Sequence, residues 1–589
     1  MKGFFKYLLA STLGVIIAGI ILLMLFFGVI GTMVASQDKT VKVKQNTVLY
    51  IKLNKPITDR SSNNPMKNFN FTSFKPTNGL GLDAILKSIE KAKDDNNITG
   101  IYLDLTTIPT GMASLEEIRN ALLDFKESGK FILCYADYYN HKTYYLATVA
   151  DSIFLNPEGT VNFVGLSSQI MFYKDALEKL GVKPQIIRHG KFKSAVEPFM
   201  LDKMSNANRK QIETYMGSIW DNIVKGISQE RKINIDLLNK YADELTIRNA
   251  KAALETKFVD GLKYKDEIFA ELRNKTHREA NEDIESISLA KYIKVPKKQK
   301  TNTFAKDKIA VIYAMGSVVM GEGEEGNIGS DRISTAIRKA RKDSSIKAIV
   351  FRVNSGGGSA LASEVIWREV KLAQEVKPVI ASLGDVAASG GYYIVSPADK
   401  IIASPNTITG SIGVFGMLMN SKSLFNDKLG INIEVVKTNK HSDIGSMFRK
   451  LTTEEKASIQ YGVEDIYKTF ITHVAEGRNM TKEAVDSIGQ GRVWSGANAI
   501  KIGLIDEFGG LQKAIEIAAE TAHLDNYRTV SLPELKDPFQ QIIEKFQGNI
   551  EASIIQKNLG KEYIYYKELQ EIKNMKGIQA KIPYRIDIY

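Results

Sequence analysis

Shifted against itself by 248 residues, the chain aligns without a gap, residues 98–165 falling on residues 346–413. Asp137/Asp385, Tyr144/Tyr392, Tyr145/Tyr393, Pro157/Pro405 and Gly165/Gly413 are identical pairs set in matching apolar patterns. A period this long marks duplicated domains, because the repeats of a solenoid recur every few tens of residues. Upstream, VLYI (48–51) matches IAVI (309–312) at a different offset, so a loop has changed length between the copies. At the critical turn the copies diverge: His141 stands in the first where Ser389 stands in the second.

The repeat also indicates the fold class. Short β-branched runs at 308–313, 348–353 and 379–383 alternate with helical patterns near 333–341 and 360–375. Such alternation predicts α/β domains with mostly parallel sheets and crossover helices. TTEE at 452–455 predicts a capping box opening a long helix to about residue 476, and its first-half partner begins at Ser205. A chain of 589 residues is too long for one core and ample for two.

Lysines and arginines exceed acids by 12, but the excess is spread along the chain, which excludes a nucleic-acid partner as the reading. The densest basic run, KYIKVPKKQK (291–300), falls between the copies and reads as a solvated linker. Cys134 is the single cysteine, which rules out an internal disulfide; within FILC (131–134) it reads as buried filler. From Lys6 to Asp38 no charged residue intervenes, and residues 7–33 are overwhelmingly apolar. As a helix they measure about 40 Å, enough for a hydrocarbon core of about 30 Å. The stretch is too long for a cleavable signal and reads as a retained membrane anchor, a transmembrane helix. Lysines flank it on both sides, so charge does not decide its orientation. The expected organisation is an anchor over 1–36, a first half over 37–300, a second half over 301–536, and a helical then basic tail over 537–589 to which no chemistry is assigned.

Three segments carry chemistry. DVAASGGYY (385–393) follows a strand and opens a helix, presenting Ser389 at a tight turn among small residues, where a helix N-terminus favours a developing oxyanion. Read alone, it is equally a glycine-rich turn with an N-cap serine. Ala387 replaces the first glycine of the G-x-S-x-G elbow, so that motif is not matched. RVNSGGGS (352–359) offers backbone N–H groups to an oxyanion, whereas its first-half counterpart has Ile108 and Pro109 in place of Gly356 and Gly357. A nucleophilic serine needs a base, and none of the six histidines sits in a convincing triad setting; lysine is the alternative when burial lowers its pKa. RHGKFKSAVEPF (188–199) supplies Lys193 among small and apolar residues, with Lys191 and Lys440 as competitors.

KSAVEPF (193–199), RVNSGGGS (352–359) and GDVAASGGYY (384–393) together resemble the long form of the signal peptide peptidase A family, over nearly the whole chain beyond the anchor. The resemblance implies two tandem crotonase-like, Clp-protease-like α/β domains. It implies a membrane-bound serine endopeptidase that hydrolyses apolar peptides such as signal-peptide remnants. Ser389 from the second half would be the nucleophile and Lys193 from the first the general base. The family's short form keeps its lysine in a segment resembling KTNKHSDIGS (437–446), where its catalytic position falls on Ser442. Oxyanion candidates are Gly357 or Gly358 together with Gly390; the loop departs from the family's usual pattern by having Gly356 in place of a proline. The resemblance further implies no metal or cofactor, a homotetramer, and a place in the bacterial inner membrane with the soluble part facing the periplasm. A crotonase-like acyl-CoA enzyme and a non-catalytic membrane scaffold are the other readings.

Overall fold

The computed structural model describes residues 2–35, 42–62, 69–70, 75–76, 79–296, 305–535 and 577–582. The duplication extends to element boundaries. Helix Met112–Lys126 recurs as Ala360–Gln374, strand Phe131–Tyr139 as Val379–Ala388, and Ile98–Asp104 as Ile346–Ser355, each starting 248 residues later. Helix Ala360–Gln374 is capped by the Ser359 hydroxyl, which accepts from the Ala362 N–H at 3.3 Å. It buries Ala362, Ile366, Val370 and Ala373, the inward stripe of a 3.6-residue period. Each of the larger side chains contributes about 1.5–3 kcal/mol by leaving water.

Each copy builds its own sheet. In the first, strands Gly261–Leu262, Ser152–Val161, Phe131–Tyr139, Ile98–Asp104, Thr47–Ile51 and Ser286–Ser288 lie side by side, paired in parallel. In the second, Val379–Ala388, Ile346–Ser355, Lys308–Met315 and Arg528–Leu532 are parallel neighbours, with Ile408–Gly410 beside the end of Val379–Ala388. The expected long helices are Asn206–Arg231, capped by Ser205, and Thr453–Arg478, opened by a capping box between Thr452 and Glu455.

A third sheet joins the halves. Strand Lys183–Arg188 of the first pairs antiparallel with Phe415–Asn420 of the second, from Arg188 opposite Phe415 to Lys183 opposite Asn420. This pairing carries the loop after residue 188 across to the second half. The halves are also tied by Arg352, whose guanidinium is fully buried and reaches Asp59 and Glu117 of the first half at 2.6 Å each. It also donates to Ser382 Oγ at 3.0 Å and the Leu383 carbonyl at 3.2 Å. Next to this cluster, Asp385 is held by the Ser114 N–H and hydroxyl, both at 2.8 Å. Burial pushes the Asp385 carboxyl up, against those two bonds.

Residues 2–35 form one 34-residue helix. Among the described residues, no helix is long and apolar enough to cross a membrane. Cys134 is buried, and burial pushes its thiol up to about 12, as expected of filler. Of the tail, residues 537–576 and 583–589 lie outside the described residues; within 577–582, strand Gln579–Lys581 joins the third sheet instead of forming a helix.

Candidate active site

Ser389 ends the strand Val379–Ala388 and sits as the cap of helix Gly390–Val395. Its backbone has φ 55° and ψ −117°, a conformation that costs a side-chain-bearing residue about 1–3 kcal/mol and persists only where surrounding structure imposes it. Here its N–H donates to the Gly410 carbonyl at 2.8 Å, and its own carbonyl accepts from Tyr393 N–H at 2.8 Å. The turn is thereby fixed on both sides and the hydroxyl held in place.

The Lys193 amine lies 2.7 Å from Ser389 Oγ, although 196 positions separate the two residues. Both are fully buried. Lys193 Nζ also donates toward the Ser411 hydroxyl at 3.0 Å and the Ser411 carbonyl at 3.1 Å. These partners are neutral, so nothing offsets the cost of burying a charge, and burial holds the amine well below the usual lysine range. Burial of this kind favours the neutral amine, the form that can act as a base toward a neighbouring hydroxyl.

Its loop is locked from below. Phe192 N–H donates to the Gln490 carbonyl at 3.0 Å, and Gln211 Nε2 donates to Ser194 Oγ at 2.8 Å. Buried Glu197 accepts from Ser205 Oγ at 2.6 Å and Asn208 Nδ2 at 3.0 Å. Gly491, at φ 83°, is pressed against this loop: a methyl there would fall 2.6 Å from Lys193 N, Cα and Cβ. Gly491→Ala is expected to displace Lys193, lowering kcat at least tenfold and costing about 1–3 kcal/mol; peptide hydrolysis and a denaturant melt check both.

The competing lysines are elsewhere. Lys440 is exposed and paired with Glu454, and Lys191 is exposed over the Phe192 ring. Ser442, at the short form's lysine position, is also exposed. Of the histidines near the site, His189 bonds Glu464 at 2.6 Å and His441 bonds Glu455 at 3.0 Å. In the first half, His141 is buried, accepts from Val164 N–H at 3.2 Å and lies about 6 Å from the Phe163 and Trp220 rings. That copy of the site is filled with aromatic side chains.

The glycine loop faces Ser389. Gly357 has φ 91°, and a methyl on it would meet Gly390 N at 2.6 Å, so the loop and the residue after the serine are in close contact. Gly357 N–H is taken by Ser355 Oγ at 3.0 Å. Gly358 lies in register with Ala580 of the tail strand. Sequence reasoning missed Ser411 and Gly491. Ser411 had a signal, since at the 248-residue offset it falls on Phe163: a small polar residue in the half with Ser389, a bulky ring in the half with His141.

The chain matches the model of Peptidase family S49 twice, over residues 124–279 and 371–525. It is similar to Protease 4 of Salmonella typhi, with 38% identity over 80% of this chain and 76% of that one. It is also similar to the chloroplastic serine protease SPPA of Arabidopsis thaliana, with 32% identity over 92% of this chain and 78% of that one. Among solved structures, a ClpP1 chain from Listeria monocytogenes is matched at 15% identity and a TM-score of 0.24, covering 35% of this chain and 94% of that one. With two matched copies and relatives spanning most of its length, the chain belongs to Peptidase family S49, as a serine peptidase of the duplicated, protease IV type.

Proposed function

We propose that the second half's Ser389 and the first half's Lys193 form the catalytic dyad, and that the enzyme cleaves apolar peptides such as signal-peptide remnants. The observation that carries this reading is the 2.7 Å approach of a buried, uncompensated amine to a serine hydroxyl held in a strained turn. The Ser389 O–H donates to the amine lone pair while Oγ attacks the substrate carbonyl. The oxyanion is held by the N–H groups of Gly358 and Gly390; Gly357 is the less suited donor because Ser355 engages it. Lys193 then passes its proton to the leaving amine, and afterwards accepts one from the water that hydrolyses the acyl-enzyme. Ser411 orients the amine throughout.

The apolar stretch 7–33 of the sequence supports a membrane anchor, and the resemblance to the family's long form supports placing the halves 37–300 and 301–536 on the periplasmic side of a bacterial inner membrane. Assembly as a homotetramer follows from the resemblance to the family's long form.

The pH dependence of kcat/KM on an uncharged fluorogenic peptide tests the dyad. Because burial lowers the Lys193 pKa, the neutral base persists at pH values where an exposed lysine is charged. Activity is expected to hold a plateau there and to fall with decreasing pH as a single group takes a proton. A profile that stays flat into acid would rule out a lysine base.

A further inference from the structure

The tail strand Gln579–Lys581 lies where a substrate would. It runs antiparallel to Gly357–Ser359, with Gly357 opposite Lys581, Gly358 opposite Ala580 and Ser359 opposite Gln579. On its other side Gln579 pairs with Phe415. The pairing extends beyond the strand: Ala360 N–H donates to the Ile578 carbonyl at 3.3 Å, and Ile582 N–H donates to the Gly356 carbonyl at 2.7 Å. An extended peptide that adds a strand in this way is bound through its backbone, and its alternate side chains are read by pockets. Ala580 is fully buried, and Ile578, two residues before it, packs against the second half's core.

The decisive atom is the Ala580 carbonyl oxygen. It lies 2.0 Å from where a methyl on Gly357 would sit and 2.9 Å from where one on Gly390 would sit. It therefore occupies the gap between the glycine loop and the residue after Ser389. A peptide carbonyl placed there lies beside the residues proposed to hold the oxyanion, with a small residue on its acyl side and an apolar one two positions upstream.

We infer that the segment 577–582 is bound in cleavage register and that the peptidase cuts its own chain between Ala580 and Lys581. This rests on the Ser389–Lys193 reading. Ser389 Oγ forms an ester with the Ala580 carbonyl carbon as the bond to the Lys581 nitrogen breaks. Lys193 carries the serine proton to that nitrogen, so residues 581–589 leave with a free amine. One water then cleaves the ester, returning the proton to Ser389 and leaving a carboxylate on Ala580. Until then the segment occupies the groove that any other peptide needs.

Intact-mass analysis of the purified full chain, incubated at mildly alkaline pH, tests this beside hydrolysis of a fluorogenic peptide of sequence GIQAKI. The expected result is loss of the nine residues 581–589, a new C-terminus at Ala580, and cleavage of the peptide at its Ala-Lys bond. Ser389→Ala is expected to keep its full mass. Ala580→Trp, whose ring the closed pocket cannot take, is expected to keep its full mass while still cleaving the added peptide. A wild-type chain that hydrolyses the peptide yet keeps residues 581–589, or is cut at another bond, overturns the inference and leaves the dyad standing. A wild type inactive on both overturns the dyad and this inference together.

Discussion

Replacing Lys193 by alanine is expected to lower kcat on an apolar peptide by about 10³-fold, the scale of a positioned general acid–base. Ser389→Ala is expected to lower it by about 10⁴-fold or more, since no nucleophile remains. Lys440→Ala is expected to leave kcat within about twofold, because that side chain is exposed and pairs only locally with Glu454. The contrast between the two lysines decides which half supplies the base. If Lys440→Ala were the inactive one, the second half would be self-sufficient and the link between strands Lys183–Arg188 and Phe415–Asn420 would have no catalytic purpose. Combining Lys193→Ala with Ser389→Ala is expected to cost little more than Ser389→Ala alone, because the two side chains act as one unit.

The second large effect is structural. Arg352→Met removes the cationic side chain that, among the described residues, pairs with both buried carboxylates, Asp59 and Glu117, at 2.6 Å from each. Leaving a buried charge without its partner costs about 3–5 kcal/mol. The loss is expected as a lower denaturant midpoint, accompanied by falling activity although Arg352 touches neither Ser389 nor Lys193. The route is local. Two residues on, Asn354 donates to Asp59 at 2.8 Å and accepts from Val386 N–H at 3.2 Å, so the same strand braces both the first half and the strand Val379–Ala388 that leads to Ser389. Adding Asp59→Asn and Glu117→Gln to Arg352→Met is expected to recover part of the stability, because it neutralises the stranded carboxylates. An unchanged midpoint in the single variant would mean that the cluster does not hold the halves together.

Much of this was legible in the sequence, and the reasons are physical. The 248-residue repeat sets where the repeated elements start, to the residue, because a duplicated domain keeps its crossover helices and parallel strands in step. Ser389 and Lys193 were singled out in the sequence through the resemblance of their segments to the family, since read alone the first is equally an N-cap serine; what the structure adds is their 2.7 Å approach across the two halves. Ser411 was passed over because its hydroxyl matters only once Lys193 arrives from the other half. Gly491 was silent for the same reason: a close approach between segments about 300 residues apart leaves no local pattern. Arg352 was read as the start of a glycine loop, and its partners Asp59 and Glu117 carry no motif. The tail strand was illegible because six residues joining a sheet through backbone bonds need no distinctive side-chain period.

The most direct measurement of the central claim is the rate at which a small fluorophosphonate acylates Ser389 in the wild type and in Lys193→Met, followed by intact mass. It isolates activation of the nucleophile from peptide binding, and methionine keeps the volume of the buried lysine stem without its amine. One adduct, on Ser389, is expected in the wild type, with Lys193→Met slower by about 10³-fold while remaining folded. Equal rates in the two chains, or an adduct on another serine, would contradict a dyad assembled from the two halves.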